Sequence, residues 1–393
     1  MFFENTFSDY LRFLMALAIL LIESFARLVL RIFPVSFLDY LRFNLIGLFP
    51  LVFRPSVEQF TDSKTMIKKQ NMKFEQHSVQ TDDGFYLVLH RIPKKGGKPV
   101  LFLHGCMMTS EAFLTHEDSL PFRLSRAGYD VWLGNYRGNK YSWRHKFLSP
   151  TSNQYWDFSL DEIIHFDIPA MIQLVLRRSK QEKISIVGFS QGTATPIACL
   201  SVHPEFQLKV DKLIGLASTT KPSPIGNNFI GSIMNSSPEM LYILFGRRAF
   251  MKSVLFWQNM LSGRNYKSLL DYSMKKIFGW SMKNIKDEDF QVYTHLYSHT
   301  SVKLIVHWFQ IIKQGFQMHR DNNLSRGHHS LQFPVDQIST DMFLFYGGSD
   351  CLANPPQLKE LNAQVFQIDD FEHLDFLWGD TSRLYDKIVA LLK

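Results

Sequence analysis

The 393-residue chain has only three cysteines, Cys106, Cys199 and Cys351. They are too few and too dispersed for a disulfide framework or a cysteine zinc site, and they fit a reducing compartment. Internal repeats and low-complexity tracts are absent. So is any apolar run of the roughly 20 residues that a clean membrane span requires. The adjacent pair His328-His329 has no partners at ligand spacing, so no metal is expected, and no cofactor either. Basic residues are scattered, as in RRSK (177–180) and PKKGGK (93–98), with no recognisable module around them. The formal charge of +7 therefore points away from nucleic acid and toward an anionic membrane surface.

What the chain does have is grease. Hydrophobic residues make up 46% and charged residues 20%, which rules out a disordered chain, and 35 phenylalanines exceed the needs of an ordinary core. That surplus suits an apolar pocket or a membrane contact.

Residues 13–22, FLMALAILLI, are wholly apolar, and a second apolar stretch follows Pro34 at 35–53. Glu23, Arg27 and Arg31 fall at i, i+4 and i+8 on one helical face, where Glu23 and Arg27 can pair. Two half-polar hydrophobic segments around a proline predict a membrane anchor over 1–53, as an interfacial hairpin or a tilted span. The competing reading is a cleavable signal peptide with Ser24-Phe25-Ala26 at the cut. Against it stand Glu4 and Asp9 in the leading segment and hydrophobicity that continues well past that point. Residues 54–72 read as a polar linker.

From residue 73 the pattern alternates. Asp83-Gly84 marks a hairpin between KFEQHSV and FYLVLHRI. PVLFLH (99–104), YDVWLG (129–134), KISIVGF (183–189) and KVDKLIGLAS (209–218) read as strands, separated by helical segments at about 110–126, 159–178 and 193–203. Ser159 and Glu162 form a capping box at the second of these. Alternation lapses over 221–335, a helical stretch rich in large apolar residues, and returns with DMFLFYGG (341–348), AQVFQIDD (363–370) and a C-terminal helix. The fold class is α/β: a mostly parallel sheet over 73–220 and 336–393, with helices on both faces and a helical cap at 221–335. An insertion between two strands should cover the sheet's C-terminal edge, where such sheets bind ligands.

Residues 187–194, VGFSQGTA, place Ser190 between Gly188 and Gly192. Five-residue patterns of this kind arise by chance, so context must decide. Here a strand precedes the serine and a helix follows, as a nucleophile elbow requires. An acid is expected after a later strand, and FLFYGGSD presents Asp350; Asp341, at a strand start, and Asp369, in an acidic loop, are weaker choices. A base is expected last, and FEHLDF offers His373. Oxyanion donors are expected from the backbone N–H groups of Gln191 and of Cys106, which follows His104-Gly105 after the third strand. His203 lies at the far end of the helix after the serine, out of reach.

These residues carry a specific resemblance. AGYDVWLGNYRGNKYSWRH (127–145), YWDFSLDEIIHFDIPAMI (155–172), GFSQGTA (188–194), YGGSDCLA (346–353) and EHLDFLWG (372–379) resemble the acid lipase family of α/β-hydrolases. That family includes the gastric and lysosomal lipases and the fungal steryl ester hydrolases, and the likeness covers most of 60–393. The membrane-anchored fungal branch looks closest, because its members begin with an uncleaved hydrophobic segment and because Phe189 stands where gastric and lysosomal members carry His. Cys106 departs from the apolar Leu usual after the His-Gly pair. The donor is a backbone N–H, so catalysis should survive while the acyl pocket is reshaped.

The resemblance implies an α/β-hydrolase fold and a Ser190–His373–Asp350 serine hydrolase acting on lipophilic esters. Steryl esters come first and triacylglycerols are the alternative. Lipid substrate and a membrane or lipid-droplet surface are the expected partners, with no nucleic acid. The expected location is the lipid droplet or endoplasmic reticulum, with the catalytic domain in the cytosol. A secreted or vacuolar acid lipase would instead require cleavage near residue 26 and glycans on Asn235 or Asn323. A catalytically silent lipid-binding protein on the same fold is a further alternative.

Overall fold

In the computed structural model, residues 61–225, 228–250, 258, 263–286, 292–320 and 331–393 are described. Nine strands form one sheet: β1 (Glu75–Gln80), β2 (Phe85–Ile92), β3 (Pro99–Leu103), β4 (Asp130–Gly134), β5 (Arg144–His145), β6 (Ile184–Phe189), β7 (Val210–Leu216), β8 (Asp341–Gly347) and β9 (Gln364–Ile368). The order is β1-β2-β4-β3-β6-β7-β8-β9, and β5 pairs with β2. β1, β2 and β5 pair antiparallel, while β3, β4 and β6 to β9 are mutually parallel. The central strands are continuous apolar runs because both faces are covered. Every residue of β3, PVLFL, and of β6, ISIVGF, is buried.

The expected α/β architecture is present. The segment expected to be helical over about 110–126 divides into a 3-10 turn, Ser110–Phe113, and a helix, Leu120–Arg126. Two starts explain the division: Thr109 caps the first piece, and Pro121 in the first turn of the second fits only a new beginning.

The linker reading of 54–72 needs correction. Ser63–Lys69 is a helix, capped by the Asp62 side chain on the Thr65 N–H at 2.8 Å. Met66 and Ile67 are buried in the core beside Val100 and Leu133, so the folded unit begins well before residue 73. The anchor expected at 1–53 lies outside the described residues, as do 54–60. Among the described residues no helix is long and apolar enough to cross a membrane.

The capping box at Ser159 and Glu162 is present, and the helix it opens passes through a π turn, Ile163–Asp167, before continuing as Ile168–Ser179. The π turn delivers Asp167, fully buried, to Arg137. Arg137 donates its backbone N–H (3.0 Å) and Nε (2.8 Å) to the Asp167 carboxylate, and Nη1 to Asp83 (2.5 Å) in the β1–β2 turn. Its guanidinium lies 4.4 Å from the centre of the Phe85 ring. One buried arginine thus ties the first hairpin, the loop after β4 and a long helix together.

Between β7 and β8 the cap contributes helices Asn228–Asn235, Pro238–Phe245, Gly263–Phe278 and Val302–Gln314. Ser301 caps the last of these on the Leu304 N–H, and its buried face joins the main core through Leu304, Trp308 and Ile311.

Candidate active site

The parallel strands end on one edge, and the expected site residues follow those ends. Ser190 comes straight after β6 with φ 54° and ψ −116°, a conformation that a serine adopts only when its surroundings impose it. The helix Gln191–Val202 starts at once, and the Ser190 carbonyl accepts the Thr193 N–H at 2.8 Å. Glycine is obligatory on either side. A Cβ on Gly188 would lie 2.0 Å from the Gly192 carbonyl oxygen, and one on Gly192 would lie 1.9 Å from the Leu103 carbonyl oxygen of β3. The turn is as tight as the backbone allows.

Asp350 follows β8, and His373 follows β9. The Asp350 carboxylate accepts the His373 Nδ1–H at 2.7 Å, which leaves Nε2 of the ring as the basic nitrogen. The second Asp350 oxygen accepts the Leu352 N–H at 2.9 Å, and the side chain is buried. The two loops pack backbone to backbone: a Cβ on Gly347 would sit 2.1 Å from the Phe371 carbonyl. The His373 ring also packs against Phe189, the neighbour of Ser190, with centroids 5.2 Å apart. Asp341 is exposed at the start of β8, and Asp369 accepts from Gln367, so neither is the partner of His373.

Gln191 is the first residue of its helix, so its N–H has no acceptor within the helix. Cys106 follows the buried His104-Gly105 pair at the end of β3; burial pushes its thiol up to about 12, which leaves it a space-filling group rather than a nucleophile. His203 caps the far end of the serine helix, where it meets His165 at 2.9 Å. His328 and His329 lie outside the described residues, and among the described residues no histidine, cysteine and carboxylate cluster could hold a metal.

Among the described residues the cap reaches this edge at several points. Trp280 stacks flat on His373, with centroids 5.3 Å apart and planes 5° from parallel. Trp308 Nε1 donates to the Gln191 side-chain oxygen at 2.9 Å. The Ser298 N–H donates to the Met107 carbonyl in the loop that carries Cys106, at 2.5 Å.

Comparison with known proteins agrees with this fold. The chain matches the family described as alpha/beta hydrolase fold over residues 98–380, and a partial alpha/beta-hydrolase lipase region over 63–117. A probable lipase of Schizosaccharomyces pombe is 37% identical over 354 residues, covering 84% of this chain and 76% of that protein. The chain belongs to the acid lipase family of α/β-hydrolases. Human lysosomal acid lipase/cholesteryl ester hydrolase is 32% identical over 353 residues, covering 81% of this chain and 87% of that one. A thermophilic esterase from Thermogutta terrifontis shares the fold at a TM-score of 0.51 and 14% identity, over 81% of this chain and 98% of that chain. Membership makes the protein a hydrolase of the lipase/esterase type.

Three residues beside this candidate site carry contacts that the sequence reading missed. Glu372 accepts from the Ser281 N–H (2.7 Å), the Ser281 hydroxyl (2.9 Å) and the Met282 N–H (2.8 Å) of the cap. It thereby holds Trp280 over His373. A glutamate beside a candidate base gives no sequence signal of its own, since its partners lie about 90 residues upstream. Trp280 and Trp308 belong to the apolar stretch 221–335; their contacts with His373 and Gln191 are legible only in three dimensions.

Proposed function

We propose that the chain is a Ser190–His373–Asp350 hydrolase of steryl esters. His373, held by Asp350, takes the Ser190 proton as the hydroxyl oxygen attacks the ester carbonyl. The negative charge that develops on the carbonyl oxygen meets the N–H groups of Cys106 and Gln191. The sterol leaves with the proton from His373, and water then releases the fatty acid by the same route in reverse. The observation that carries the reading is the buried Asp350–His373 hydrogen bond beside an elbow serine forced to positive φ.

Support for a sterol ester comes from the relative named lysosomal acid lipase/cholesteryl ester hydrolase and from the aromatic cap, whose Trp280 and Trp308 border the site. Triacylglycerol hydrolysis by the same residues is the second reading, favoured by the probable lipases of Schizosaccharomyces pombe. The apolar segments in residues 1–53 support retention at a lipid-droplet or endoplasmic reticulum surface, where such esters collect.

The test is hydrolysis of radiolabelled cholesteryl oleate and trioleoylglycerol by membranes carrying the wild-type chain or Ser190→Ala. Serine-dependent release mainly from the steryl ester is the expected result. Release mainly from triacylglycerol moves the substrate and keeps the mechanism. Equal rates with and without Ser190 overturn it.

A further inference from the structure

We infer that His104 is a positioning residue that aims the Cys106 N–H at the oxyanion. The inference rests on the serine-hydrolase reading above and assigns a role to a histidine which that mechanism does not use.

His104 ends β3 and is buried. Its Nδ1 lies 2.9 Å from the Gly105 carbonyl oxygen, which can only accept, so Nδ1 carries the proton. Its Nε2 accepts the Tyr136 N–H at 3.3 Å and an Asn139 Nδ2–H at 3.2 Å, so that nitrogen must be bare. Both contacts demand one neutral tautomer, and burial lowers the ring to about 4, which keeps it neutral. Among the described residues no charged group is hydrogen-bonded to it.

The Gly105 carbonyl belongs to the same peptide unit as the Cys106 N–H. In a trans peptide the two bonds share a plane and point in opposite directions. Fixing the oxygen on one side therefore fixes the N–H on the other. A glycine peptide has little else to hold it. His104 thus orients the Cys106 donor from behind, without approaching the substrate.

The ring is itself braced. Asn139 Nδ2 also donates to Asn135 Oδ1 at 3.1 Å, and its own oxygen accepts the Tyr141 and Ser142 N–H groups, both at 3.0 Å. Asn135 Oδ1 accepts the Ser110 N–H at 3.0 Å, closing a loop from the end of β3 to the 3-10 turn beyond it. Tyr136, whose ring lies edge-on to His104, reaches Thr195 in the helix of the other donor, with the two oxygens 2.8 Å apart. The two oxyanion donors are thereby held in one buried network.

The test compares an oxygen ester with the matching thionoester, whose sulfur is a poor hydrogen-bond acceptor and gains little from an oxyanion donor. His104→Phe keeps a ring and removes the N–H. On the full-length wild-type and variant chains, it should lower kcat for the oxygen ester by about 10²–10³, the usual cost of one oxyanion donor, with KM little changed. The thionoester rate should fall far less, so the ratio of the two rates collapses. His104→Asn, whose amide nitrogen overlays Nδ1, should restore much of the ratio. His104→Gln, whose nitrogen overlays Nε2, should not. The Asn and Gln pair decides the matter if the Phe variant does not fold. Equal losses on both esters, or no difference between Asn and Gln, would overturn the positioning role. Ser190→Ala runs alongside: retained hydrolysis there removes the serine mechanism itself, whatever His104 does.

Discussion

Taking the folded chain from pH 7.5 to 4.5 challenges three histidines that the fold holds neutral: His90, His104 and His307. Each is lowered to about 4, with burial the dominant cause. Around His90, Glu111 and Asp62 pull upward and Lys140 pulls downward; around His307, Glu162 pulls upward and Lys303 downward. Burial wins in both. The hydrogen bonds agree, since His307 donates Nε2–H to the Gln317 carbonyl at 2.8 Å and accepts the Leu160 N–H on Nδ1 at 3.3 Å. A second proton on Nδ1 would displace that N–H bond, with the Asp161 carboxylate 4.0 Å away as its nearest anion.

The folded value lies below the unfolded value near 6.5, so this stability is fully present above pH 6.5 and is lost as pH falls toward 4. A gap of about 2.5 pH units is worth up to about 3 kcal/mol per ring. With three rings, stability should fall by up to about 4 kcal/mol per pH unit over the steepest part of that window. Domains of this kind have roughly 5–15 kcal/mol in total. Urea unfolding of the full chain in detergent, followed by circular dichroism at pH 7.5, 6.5 and 5.5, reads this directly. The midpoint should fall slightly between the first two and sharply at the third. A midpoint unchanged at pH 5.5 would refute the argument, because three buried neutral histidines cannot leave stability independent of pH there.

Three further outcomes are expected. Arg137→Met strands the buried Asp167 carboxylate and should cost about 3–5 kcal/mol in chemical denaturation, much of it recovered when Asp167→Asn is added. Gly192→Ala drives a Cβ into the Leu103 carbonyl and should cost about 3 kcal/mol, the upper end for overpacking, so a folded, fully active variant would contradict the elbow geometry. Below pH 4.5 a fourth loss sets in at Glu111. Burial pushes that carboxyl up, but His295 and Lys140 outweigh it and hold it at about 2. Its stabilisation is present above pH 4.5 and disappears toward pH 2, so Glu111→Gln should flatten the acid limb of the unfolding curve.

The strands that are buried on both faces were the most legible part of the sequence. Continuous runs such as PVLFL and ISIVGF admit few other readings once turn residues bound them. The short helix Ser63–Lys69 was hidden because two apolar residues, Met66 and Ile67, anchor an otherwise polar segment. β5 has two residues and exists only because β2 offers its edge, and the π turn Ile163–Asp167 follows from the demand of Arg137 for a carboxylate. The serine, aspartate and histidine could be proposed from their order along alternating strands. Their supports could not: Glu372, Trp280, Trp308 and Asn139 act through partners far away in the chain, which one sequence does not pair.

The first described residues carry a geometric consequence. The Ser63 N–H donates to Tyr141 Oη at 3.3 Å, and Thr61 Oγ1 lies 3.4 Å from His295 of the cap. The chain therefore enters the folded body between Tyr141, in the loop after β4, and His295 of the cap. Between Phe53 and Thr61 there are eight peptide units, a leash of at most about 28 Å. With residues 1–53 lodged in a lipid surface, as proposed, a leash this short limits the standoff. The folded body would then stay within about that length of the layer, and an ester leaving the lipid would have only a short gap to cross.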